Sequence, residues 1–92
     1  MSLLTVLLYT ITVSHGQIAD PQPDAIEWTV FDSSGAITHQ QQYPVTATYD
    51  IPANDGDSIR ACKVIGINIG ACSAVQEVAE PQSPLLLENV RW

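Results

Sequence analysis

Ninety-two residues are enough for one domain with one core, and an apolar fraction of 46% beside only 14% charged residues excludes a disordered chain. Three basic residues stand against ten acidic ones, a formal charge of −7. That balance excludes a nucleic-acid partner, because there is almost nothing with which to displace the counterions condensed on a phosphate backbone, and it reads instead as a solvated acidic surface that keeps the chain soluble.

The opening run MSLLTVLLYTITVSH allows two readings. An export signal needs a basic n-region and a small-x-small cleavage site, and the run has neither; it is also too short to span a bilayer, so no membrane span is expected. Thr5, Val6, Tyr9, Thr10, Ile11, Thr12 and Val13 are β-branched or aromatic, which predicts a strand over residues 3–13, ended by Ser14-His15-Gly16. On the strand reading the segment opening at Met1 is retained in the working protein; on the signal reading it is removed.

Asp20-Pro21-Gln22-Pro23-Asp24 is a stiff, extended crossing, since each proline fixes its own φ and keeps its predecessor out of the α region. The next strand is expected over Ala25–Phe31, with Ile26, Trp28 and Val30 on one face and Glu27 and Thr29 on the other. Asp32-Ser33-Ser34-Gly35 predicts a turn, and residues 36–41 a polar strand at a sheet edge. His39-Gln40-Gln41-Gln42-Tyr43 reads as a solvated edge or loop with amides available to a partner. Residues 45–51 alternate again, placing Val45, Ala47 and Tyr49 on one face.

From Ile51 onward the pattern sharpens. Ile51-Pro52 and the cluster Ala53-Asn54-Asp55-Gly56-Asp57 predict a turn, Ser58–Ile65 a strand, Gly66-Ile67-Asn68-Ile69-Gly70 a hairpin loop, and residues 71–78 a final strand. Glu80-Pro81-Gln82-Ser83-Pro84 cannot continue a central strand, because two prolines remove ladder donors. The chain therefore divides into a sandwich domain at 1–79 and an extended C-terminal arm at 80–92. Leu85, Leu86, Leu87, Val90 and Trp92 give that arm more apolar area than a solvated tail carries. They are expected either to dock on a neighbouring subunit or to fold back over one end of the same sandwich.

Strands at short spacing, joined by polar turns and without a helical period, predict an all-β fold with two packed sheets of about six or seven antiparallel strands; a small open barrel is the alternative. Cys62 and Cys72 flank the hairpin loop. They meet in a cross-strand disulfide if the hairpin turns about Ile67, and cannot meet if it turns at Ile69-Gly70; otherwise they are small buried apolar residues. Two thiols without neighbouring histidines do not make a zinc site. Asp50, Asn54, Asp55 and Asp57 crowd one turn, but their spacing is not that of an Asp-x-Asp-x-Asp-Gly calcium loop, and Asn-Asp-Gly is what a tight turn needs. His15 beside Ser14 lacks a strained nucleophile elbow, and no glycine-rich phosphate loop exists. No catalytic, metal or cofactor site is expected, and the chain is read as a non-enzyme.

Arg60-Ala61-Cys62-Lys63-Val64, preceded by Ile51-Pro52 and followed by Asn68, Gly70 and Ser73, resembles the last two strands of a fibronectin type III domain. The resemblance spans about Trp28 to Val78. It departs from the family where Ile59 stands in place of the tyrosine that opens the sixth strand, and where the early tryptophan appears only at Trp28. The resemblance implies a small immunoglobulin-like β-sandwich and a role in protein–protein contact. Two functions fit it. One is a structural accessory subunit that decorates, cements or connects a larger assembly such as a virus particle, with other subunits, or copies of itself, as partners. The other is a secreted or surface-exposed adhesion or binding domain with a cleaved N-terminal signal and a Cys62–Cys72 disulfide.

Overall fold

Alternation of apolar and polar side chains organises the computed structural model, which describes residues 9–15, 18, 22–78 and 85–87. Eight strands, β1 Tyr9–His15, β2 Ala25–Phe31, β3 Ile37–Pro44, β4 Tyr49–Ala53, β5 Ser58–Ile65, β6 Asn68–Cys72, β7 Gln76–Glu77 and β8 Leu85–Leu87, and no helix occur among the described residues. They form two sheets. One has three strands in the order β4-β1-β8; the other has five, in the order β3-β2-β5-β6 with β7 also on β5. All pairs are antiparallel except β1 with β8.

The inward faces are those that the alternation marks. Ile26, Trp28 and Val30 of β2 and Ile59 and Ala61 of β5 meet Ile11 and Val13 of β1 and Tyr49, Ile51 and Ala53 of β4, with Val78 completing one buried cluster. Across the three-stranded sheet, Ile11 stands opposite Ile51 and Val13 opposite Tyr49, while Thr12 on the other face donates its hydroxyl to the Asp50 carboxylate at 3.0 Å. The architecture is thus all-β with two sheets enclosing one core, compatible with a β-sandwich.

Four expectations need correction in detail. Residues 45–48 are not a strand: the Thr46 hydroxyl bonds the backbone of Thr48 at both its N–H and its C=O, a local turn that competes with the ladder. Val45 is therefore left 45% exposed and the strand begins at Tyr49. Ile51 and Pro52 belong to β4 rather than to a turn; Pro52 is accommodated because β4 is an edge strand. The hairpin loop shrinks to Gly66 and Ile67, since Ile65 already pairs with Asn68, and the segment expected at 71–78 splits into β6 and β7.

Residues 3–8 of the expected first strand, together with Val90 and Trp92, lie outside the described residues. The backbone of Leu85–Leu87, beyond the boundary drawn at residue 79, is β8, parallel to β1 with Val13 opposite Leu85 and His15 opposite Leu87.

Candidate interaction surface

The β5–β6 hairpin is the most constrained part of the surface. Gly66 adopts φ 62°, a left-handed conformation that favours glycine and suits a two-residue hairpin loop. Its N–H donates to the Asp24 carboxylate at 2.7 Å, and the Asp24 N–H donates to the Val64 carbonyl at 2.8 Å. The crossing before β2 thereby holds the base of the turn. The turn at Gly66-Ile67 and a one-residue register shift between Cys62 and Val64 together bring Cys62 opposite Cys72, and the two are joined in a disulfide. Below the bridge, Ser73 N–H donates to the Ala61 carbonyl at 2.6 Å and Ala61 N–H to the Ser73 hydroxyl at 2.9 Å, so a side chain extends the ladder where β6 ends.

This rigid arm ends in apolar side chains that face solvent. Ile67 is 97% exposed and Ile69 48%. Gly70 allows β6 to lie close to Lys63, whose Cγ would stand 3.2 Å from an added Cβ; Lys63 itself is only 4% exposed. The sequence presents Ile67 and Ile69 as loop members, and what sets them apart there is their apolar character inside a Gly66–Gly70 segment where polar residues are usual.

At the other end of the five-stranded sheet an open cleft of about 440 Å³ is lined by residues that include Phe31, Asp32, Gly56, Val75 and Glu77. Asp32 there closes the β2–β3 turn: one carboxylate oxygen accepts from Ser34 N–H at 2.9 Å, Ser34 hydroxyl at 2.6 Å and Ala36 N–H at 3.0 Å. The Ser34 hydroxyl, then the Ala36 amide, hold its carboxyl below the usual carboxylate range. Arg60 stacks over Phe31, 5.3 Å from the ring centroid, on the outer face of the same sheet.

An aromatic series crosses from core to edge. Trp28 and Tyr49 have ring centroids 5.2 Å apart, Tyr49 and Tyr43 6.0 Å, and the Tyr43 hydroxyl lies 2.7 Å from His39 Nε2. Burial pushes both phenols above the usual tyrosine value, and in Tyr49 the Thr46 N–H that its oxygen accepts at 2.9 Å partly offsets this. Both rings stay neutral near neutral pH and act as packing and hydrogen-bonding groups.

The other residues singled out in the sequence do not converge. Asp50 lies on the outer face of the three-stranded sheet, whereas Asp57 is turned into its own loop and accepts from Asn54 N–H at 2.8 Å. Among the described residues no group of three or more His, Cys, Asp and Glu side chains is placed to hold a metal ion, and no helix is long and apolar enough to cross a membrane. Both cysteines of the chain are consumed in the bridge. No protein-family model, no curated protein and no solved structure matches this chain.

Proposed function

We propose that this chain is a non-enzymatic binding module, an immunoglobulin-like sandwich of fibronectin type III character, displayed at an extracellular surface where it contacts another protein through the β5–β6 hairpin. One observation carries the proposal: the Cys62–Cys72 bridge braces a hairpin whose tip leaves Ile67 almost wholly in solvent. Disulfides persist in secreted, cell-surface and virion-surface settings and are rare in the reducing cytosol. A braced apolar tip also loses little conformational entropy on docking. Intact mass under non-reducing conditions, on protein from its native source, tests the setting. A deficit of two hydrogens is expected, in a chain that keeps β1, because Ile11 and Val13 belong to the core. Two free thiols refute the proposal.

A second role, the decoration, cement or connector subunit of a virus particle, is favoured by the C-terminal segment. β8 joins the sheet by backbone pairing along the free edge of β1 over three residues, the mode by which one subunit lends a strand to another. Truncation after Glu80 separates the roles: an accessory subunit then stays folded and no longer attaches to its particle, whereas a module that uses β8 only to complete its own sheet melts at lower temperature.

A further inference from the structure

Among the described residues four strand edges bound the two sheets, and they are not equally guarded. β4 carries Pro52 and Asp50 on its edge. β8 is three residues long, and β6 and β7 are short pieces separated by irregular residues 73–75. Short strands, prolines and charges are the means by which sheet proteins prevent their edges from pairing with another chain. β3 has none of them before its last residue. It runs eight residues, ITHQQQYP, without Asp, Glu, Lys or Arg. Its proline is the last residue, and the irregularity in its pairing with β2 lies at its start, between Val30 and Phe31 of the partner strand.

The same strand is held ready. Seven residues of β2 fix it by backbone register. The Thr38 hydroxyl donates to the Val30 carbonyl at 3.4 Å, the Gln40 amide donates to the Thr29 hydroxyl at 3.2 Å, and on the inner face His39 and Tyr43 are joined at 2.7 Å. Its outer edge, terminal in the sheet order, offers backbone N–H and C=O groups to an incoming strand with little left to order.

We infer that β3 is a self-association edge: it pairs antiparallel with β3 of a second copy about a two-fold axis. The lack of charge on β3 permits a second copy as the occupant. A molecule of net charge −7 repels its own copy, and β3 is a strand where two such molecules can meet without bringing like charges opposite one another. Two-fold antiparallel pairing of identical strands is also self-complementary and closes after two copies. The product is a continuous sheet in the order β6-β5-β2-β3-β3-β2-β5-β6, four strands from each copy along that path. At about 4.8 Å between strands, the two β6 hairpins stand about 34 Å apart, at opposite margins. The dimer therefore presents the proposed contact surface twice.

Sedimentation analysis of the full-length chain across concentration and salt tests this. A closed dimer is expected, and it tightens as salt rises, because screening shortens the repulsion from a Debye length of about 10 Å at 0.1 M to about 3 Å at 1 M. Gln41→Glu, at an exposed β3 position, weakens the dimer by about tenfold. Ile67→Glu adds the same charge at the hairpin tip and leaves the dimer intact. Hydrogen exchange then slows at alternate amides of residues 37–44 on dimerisation. A monomer under all conditions, open-ended growth, or an association abolished by Ile67→Glu but not by Gln41→Glu overturns the proposal. So does binding of a synthetic ITHQQQYP peptide to a chain that itself remains monomeric, which makes the edge a site for foreign strands. A monomer that keeps its disulfide overturns the dimer and leaves the binding-module proposal standing.

Discussion

Reducing the Cys62–Cys72 bridge is the perturbation whose cost follows most directly from the structure. The bridge closes a loop between residues ten apart, and the chain entropy that such a cross-link removes from the unfolded state amounts to about 9 cal/mol/K, or about 2.7 kcal/mol at 25 °C. Reduction leaves both sulfur atoms in place, so the packing of Cys62, 1% exposed, is retained and the difference isolates the cross-link. At about 4–8 °C per kcal/mol for a domain of this size, the melting temperature should fall by about 10–20 °C. Calorimetry of one preparation with and without reductant, with thiol content checked by mass, measures it. Hydrogen exchange adds the location: the β6 amides paired with β5 should lose protection first. A shift below about 2 °C refutes the reasoning, because β6 would then be held by packing alone and the bridge would constrain nothing in the unfolded chain.

Trp28→Ala should destabilise the fold by about 3–5 kcal/mol in urea unfolding, since the side chain is fully buried at the centre of the core; an unchanged midpoint would remove Trp28 from that place. Gly66→Ala should cost about 1 kcal/mol by the same measurement, from backbone strain alone, because φ is 62° and an added Cβ meets nothing within 4 Å. Stability should also fall with alkaline pH. The Tyr43 and Tyr49 phenols titrate higher in the folded than in the unfolded state, so their contribution is intact below about pH 10 and is lost as pH rises through the folded values. Unfolding midpoints that stay flat from about pH 9 to pH 11 would contradict this.

Legibility in the sequence tracked how local each determinant is. β2 and β5 occupy the spans their alternation marks, Ala25–Phe31 and Ser58–Ile65, because each buries one face between partners on both sides. Thr46 and Thr48 defeated the same rule. The Thr46 hydroxyl bonds the backbone N–H and C=O of Thr48, a contest between turn and ladder that residue period does not register. Thr29, expected to face outward, is fully buried nonetheless, and the Gln40 side chain bonded to its hydroxyl comes from a strand that composition alone leaves polar and weak. The exposed hairpin tip was less legible than the core. Ile67 and Ile69 are visible in the sequence, but their exposure depends on a two-residue turn that five candidate loop residues do not specify.

The linear pattern is sufficient for an all-β chain, for the inward faces Ile26-Trp28-Val30 and Ile59-Ala61, and for an acid surplus that disfavours nucleic acid. These follow from side-chain period and charge, which are properties of neighbouring residues. Only the tertiary structure decides that Cys62 faces Cys72, that Pro52 lies on an edge strand, that β8 runs parallel to β1, and that β3 is left as the long uncharged margin of its sheet. Each depends on which strand lies beside which and in what register. That choice is made by burial of the whole core across sequence separations that no local pattern spans.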